Sequence, residues 1–64
     1  MPTFRVWFGL ERRDGDTLDA VHDCTAKTPE DARRMTIATY KDQSRTGRVW
    51  INKIKVLRSN TNVQ

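Results

Sequence analysis

Residues Phe4 to Leu10 impose the strongest constraint on what this chain can fold into. Phe4, Val6, Phe8 and Leu10 recur at a period of two, while Arg5, Trp7 and Gly9 take the alternate positions. That period belongs to a β-strand with one face buried and the other wet. The strand is expected to run from about Thr3 to Arg12 and to show Trp7 to solvent. Its apolar face needs a cover, and its backbone needs neighbours on both sides if it is central.

The downstream residues supply both. Arg13-Asp14-Gly15-Asp16 is turn chemistry, with Gly15 free to take a positive φ, so a hairpin follows. A two-residue Asp14-Gly15 turn would put Val6 opposite Asp23 and an acid on the apolar face. A three-residue loop from Asp14 to Asp16 instead pairs Leu10 with Ala20, Phe8 with His22, Val6 with Cys24 and Phe4 with Ala26. The second register is preferred because an unpaired buried Asp costs more than a His or Cys that finds a partner. Strand two, about Thr17 to Ala26, then turns Ala20, His22, Cys24 and Ala26 inward and Asp19, Val21, Asp23 and Thr25 outward.

Thr28-Pro29-Glu30-Asp31 is a helix start: a Thr N-cap, Pro at the first helical position and two acids over the positive end of the helix dipole. From Pro29 to about Asp42, residues Ala32, Met35, Thr36, Thr39 and Tyr40 share a face, with Ile37 off the stripe. Gln43 to Arg48 is polar and contains Gly47, which reads as a basic loop ending the helix. Val49 to Leu57 is rich in β-branched and aromatic residues and forms strand three. Its phase is ambiguous, because Trp50, Ile54 and Val56 suit one face and Val49, Ile51 and Leu57 the other. A bulge near Asn52-Lys53 or partial cover on both faces explains this. Trp50, Ile54 and Val56 are expected inward, with Lys53 and Lys55 outward.

The crossover from strand two through the helix to strand three returns it parallel to strand two, in the free slot beside strand one. The expected fold is α+β: one β-β-α-β domain over residues 1–58, a three-stranded sheet of order 2-1-3 with one helix on one face, and a frayed polar tail over 59–64. At 64 residues such a domain buries only about 60% of the surface its unfolded chain exposes. With 36% apolar and 31% charged residues the chain is still too apolar for a disordered segment.

The opposite sheet face is left open, with Arg5, Trp7 and Gly9 in the middle, Lys53 and Lys55 on one edge and Asp19 and Asp23 on the other. Trp7 flanked by Arg5 and Lys55 suits a stacked base or a protein contact. The reading without function is that Trp7 caps a small sheet or sits in a homodimer. Arg12, Arg13, Arg45 and Arg48 are expected to form a basic rim at the turn end, gripping phosphates or acidic side chains, or else serving solubility alone. These eight residues, Arg5, Trp7, Lys53, Lys55, Arg12, Arg13, Arg45 and Arg48, are the candidate partner-binding set.

No catalytic, cofactor or metal site is expected. His22 and Cys24 offer two ligands where zinc needs three or four, so His22 reads as a satisfied core histidine beside a small buried cysteine. Neither Ser44 nor Ser59 stands in a glycine elbow, and no phosphate-binding Gly loop is present. A net charge of +4 and a pI near 9.8 favour polyanions or an acidic protein surface. Cys24 stands alone, which suits a reducing cytoplasm. The chain lacks both an apolar run of roughly 18 residues and the features of a signal peptide, so no membrane partner is expected.

The stretch Ala26-Lys27-Thr28-Pro29-Glu30-Asp31-Ala32-Arg33-Arg34-Met35 follows a hairpin and precedes a basic loop and the strand Ile51-Asn52-Lys53-Ile54-Lys55-Val56. At the level of pattern it resembles two groups. One is the LX-type archaeal ribosomal domain, whose similar unit contacts ribosomal RNA through a basic loop before its last strand. The other is the set of small phage anti-CRISPR proteins that pack one helix on an antiparallel sheet and occupy the DNA-binding surface of a CRISPR surveillance complex. This chain departs from the ribosomal type in its acidic strand two and in having fewer basic residues around the last strand. The leading expectation is therefore a non-enzymatic, phage-type binding module that inhibits a nucleic-acid-handling host complex by steric blockade. The alternative is a small RNA- or DNA-binding domain using Trp7, Arg5, Lys53, Lys55 and the rim. The partner is a protein or nucleoprotein complex, or nucleic acid itself, and the chain a monomer or homodimer.

Overall fold

A computed structural model of the chain describes residues 1–58; the tail expected at 59–64 lies outside the described residues. β1 (Thr3–Arg12) is the central strand, flanked by β2 (Thr17–Thr25) and β3 (Ser44–Arg58) in the order β2-β1-β3. Both neighbours run antiparallel to β1. A single helix, α1 (Pro29–Tyr40), connects β2 to β3 through a short 3₁₀ turn at Lys41–Gln43. The α+β architecture and the 2-1-3 order are those expected from the hairpin and the crossover.

The core is the inner face of β1 under α1. Val6, Phe8 and Leu10 are fully buried and Phe4 nearly so, as are Ala32 and Thr36 of the helix, and Phe4 and Val6 cluster with Ala26 and Ala32. Small residues at 32 and 36 let the helix approach the sheet closely, and the buried Thr36 hydroxyl is satisfied by donating to the Ala32 carbonyl at 2.9 Å. Tyr40 closes the far end by stacking on Phe8, with ring centroids 4.4 Å apart. α1 begins as its sequence dictates, with the Thr28 hydroxyl accepting from the Asp31 backbone N–H at 3.1 Å. The buried stripe is narrower than expected, however. Met35 and Thr39 are exposed and Ile37 is half-buried, because the contact runs along the i, i+4, i+8 row of Ala32, Thr36 and Tyr40 and leaves the flanking rows at its margin.

The hairpin keeps the expected inner face but shifts register by two residues. Leu10 pairs with Leu18, Phe8 with Ala20, Val6 with His22 and Phe4 with Cys24. The loop is three residues long, but it is Arg13-Asp14-Gly15. Gly15 takes φ +96°, its N–H donates to the Arg12 carbonyl at 2.8 Å, and the Arg12 N–H donates to the Asp16 carbonyl at 2.6 Å. A three-residue hairpin loop places its left-handed residue last, so Gly15 has to end the loop. The Asp14 carboxylate accepts from the Asp16 N–H at 2.9 Å and tightens it.

β3 starts at Ser44, so the expected loop over 43–48 is largely strand. β1 reaches Arg12, and Ser44 pairs with it. Between Leu10 and Arg12 the register shifts, and Gly47 at φ +78° takes up the surplus. A second bulge falls at Asn52, since Phe8 pairs with Ile51 and Trp7 with Lys53. That bulge resolves the phase of β3. Val49 and Ile51 before it and Ile54 and Val56 after it all lie on the core face. Trp50 therefore does not point inward as expected: it lies on the open face, opposite Gly9.

Phe8→Ala removes a fully buried ring and its stack on Tyr40, at an expected cost of about 3–5 kcal/mol. A single core in a domain this small supplies about the same in total. The variant is expected to lack a folded circular-dichroism signature at room temperature. A cooperative urea transition near the parent midpoint would contradict this description of the core.

Candidate functional site

Three cross-strand rows make the centre of the uncovered face: Asp23, Arg5 and Lys55; Val21, Trp7 and Lys53; Asp19, Gly9 and Trp50. In the first row Arg5 grips Asp23 with two bonds, Nε to Oδ1 at 2.9 Å and Nη2 to Oδ2 at 3.0 Å. The Arg5 bond holds the Asp23 carboxyl below its ordinary range, and the same bond raises the guanidinium further. Arg5 is thus a tied cation that cancels one acid of the β2 edge.

In the second row the Lys53 ammonium lies 5.0 Å from the centre of the Trp7 ring, a cation–π contact. Trp7 is half-buried, with Val21 exposed beside it. In the third row Gly9 leaves room for the Trp50 indole. A Cβ added there would stand 2.6 Å from Trp50 Cε2 and 2.9 Å from Asp19 Oδ1. The absence of a side chain lets the indole lie across the central strand beside the Asp19 carboxylate. A shallow hollow lined by Trp7, Asp19, Val21 and Asn52 adjoins it.

Charge is divided across this face. β2 carries Asp19 and Asp23 and no Lys or Arg; β3 carries Arg45, Arg48, Lys53, Lys55 and Arg58 and no acid. The structure brings Arg5, Trp7, Lys53 and Lys55 together as expected. Arg12, Arg13 and Arg45 gather at the turn end, where Arg13 Nη2 donates to the Asp42 carbonyl at 2.8 Å and Arg45 Nη1 lies 3.7 Å from Glu11 Oε2. Arg12 and Arg13 line one hollow with Leu10, Leu18 and Asp42. Arg48 lines a separate one with Arg33, Thr46 and Trp50.

Trp50 was the member of this face that strand periodicity did not place. Its signal was Gly9, a glycine at an outward position of a central strand, which marks close approach by a neighbour. On the inner face, His22 is a satisfied core histidine: its Nδ1 is hydrogen-bonded to the Tyr40 hydroxyl at 3.2 Å, and the two rings meet edge to face. Burial pushes the Cys24 thiol up, the nearby Asp23 charge adds to this, and a Thr36 hydrogen bond opposes it. Cys24 therefore remains a protonated thiol at neutral pH. Among the described residues no helix is long and apolar enough to cross a membrane.

Two measurements check this geometry. Asp23 has a lower pKa folded than unfolded, so its pairing stabilises the fold above the ordinary Asp range and that stability is lost as pH falls through the depressed value. The urea midpoint of Asp23→Asn is expected to lie below the parent's at neutral pH and to converge with it in acid; a gap independent of pH contradicts the assignment. Gly9→Ala is expected to lift the Trp50 indole off the sheet and red-shift its emission in a Trp7→Phe background, whereas an unchanged spectrum contradicts the contact. No protein-family model, curated protein or solved structure matches this chain.

Proposed function

We propose that this chain is a non-enzymatic binding module that docks its open sheet face on a protein partner. The observation that carries the reading is the centre of that face. Val21 at 47% and Trp50 at 42% exposure adjoin the half-buried Trp7, and charged groups from Asp19 to Lys55 surround them. An aromatic centre with a charged rim is the composition of protein-interface hot spots. Arg5 and Lys53 favour the same reading, because each is already held, one by Asp23 and the other over Trp7, so both are ordered before a partner arrives. His22 and Cys24, the side chains that acid–base or nucleophilic chemistry draws on, are turned under the helix and engaged there.

The partner is a nucleic-acid-handling host complex, and the module inhibits it by occupying its surface, in the manner of the small phage anti-CRISPR proteins that the sequence pattern resembles. The bases of β3 then meet an acidic patch or take the place of nothing more than solvent, while the indoles anchor the contact. The reducing cytoplasm suits this role, since Cys24 is a free thiol.

One observation favours a second reading. The basic residues of β3, unmixed with acids, are also a footprint for a phosphate backbone. In that case the module is a small RNA- or DNA-binding domain like the ribosomal LX type, with Trp50 as its stacking surface.

In a bacterium whose CRISPR surveillance complex targets an infecting phage, expression of the chain is expected to restore plaque formation, and Trp50→Ala to abolish that rescue while remaining folded. Unchanged plaque counts, together with tight gel shifts of generic single-stranded RNA that weaken steeply with salt, contradict the protein reading and support the second.

A further inference from the structure

We infer that the free edge of β3 between Lys53 and Val56 receives an extended acidic segment of the partner as a fourth strand. The inference rests on the reading that the partner is a protein, and it names the chemistry of the segment. Among the described residues β3 is an edge strand, so one side of its backbone has no strand beside it there. Within it, the stretch from Lys53 to Val56 is the longer of two regular runs, the other being Val49 to Ile51. The Asn52 bulge precedes it and a register shift between Phe4 and Thr3 follows it, so that Val56 pairs with Phe4 and Arg58 with Thr3.

The two faces of that stretch ask for different neighbours. On the open face stand Lys53 and Lys55, in rows whose other members are Trp7 and the Asp23-bound Arg5. Among the described residues Lys55 makes no ion pair. The sheet already shows what satisfies a base in these rows, since Arg5 faces Asp23 directly across the strand pair. On the core face stand Ile54 and Val56. Val56 is 53% exposed, although Phe4, its partner in β1, is only 5% exposed, so the buried layer stops short at the β3 edge. A strand that completes both faces alternates acid with apolar, acids opposite Lys53 and Lys55 and β-branched residues opposite Ile54 and Val56.

Other occupants fit less well. Pairing β3 with β3 of a second copy sets like charges against each other. Pairing it with the β2 edge of a second copy offers Asp19, while Asp23 is already held by Arg5. A nucleic acid satisfies the lysines but leaves Val56 and the edge backbone uncovered.

The probe is a short capped peptide of alternating Glu and Val, titrated into the isotope-labelled full chain and followed by amide shifts. Shifts centred on Lys53 to Val56 are expected. Methylating the peptide's backbone nitrogens on its pairing side is expected to weaken binding at least about tenfold, because its charge stays while its main-chain bonds are lost. The Lys53→Glu, Lys55→Glu variant is expected to reject the Glu-Val peptide and accept a Lys-Val one. Equal binding of the methylated peptide, shifts on β2, shifts confined to the Trp7 and Trp50 face, or no binding overturns the inference. Displacement of the peptide by a tighter-binding single-stranded oligonucleotide overturns it as well. Failure here with Trp50-dependent inhibition intact removes the edge alone; peptide binding without that inhibition removes the inhibitory reading and leaves the edge.

Discussion

One helix can cover one face of a sheet, and the rest of this structure follows from that limit. Val6, Phe8 and Leu10, on the inner face of β1, are fully buried, and burying each contributes about 1.5–3 kcal/mol. The cover is anchored at both ends, by the Thr28 cap and by Tyr40 stacked on Phe8. Among the described residues no helix or strand covers the opposite face. Its indoles are the part that water serves worst.

That face is stabilised by pairing across strands rather than by cover. Arg5 and Asp23 neutralise each other in one row, Lys53 lies over Trp7 in the next, and Trp50 lies over Gly9 in the third. Each row uses a β1 residue as its middle member, so the strand that organises the core also organises the exposed chemistry. The remaining charge is asymmetric. Asp19 and Asp23 lie on β2 and Lys53 and Lys55 on β3, which gives the surface a direction and sets which edge can accept an anionic strand.

Much of this was legible in the sequence because β1 and the start of α1 are locally consistent. Alternation, N-cap and Pro at the first turn all agree, and strand order then follows from the crossover. A loop with Gly15 in its middle gives the wrong hairpin register; the left-handed position of a three-residue loop is its last, and that rule alone moves Phe8 from His22 to Ala20. The start of β3 was hidden because Ser44 to Arg48 has no apolar period. Those residues are strand through their pairing with the end of β1, a contact remote in sequence. An unbroken period of two carried back from Val56 and Ile54 puts Trp50 on the inner face. The Asn52 bulge lets Val49, Ile51, Ile54 and Val56 share the core face, and Gly9 makes the place for the indole outside it.

The central claim is that both indoles share the uncovered face, between the acids of β2 and the bases of β3. Proton–proton contacts of the Trp50 ring in solution test it most directly. Cross-peaks from that ring to the Gly9 α-protons and to Asp19 are predicted. Cross-peaks from it to Ala32 or Thr36 of the helix would place Trp50 in the core and contradict the account.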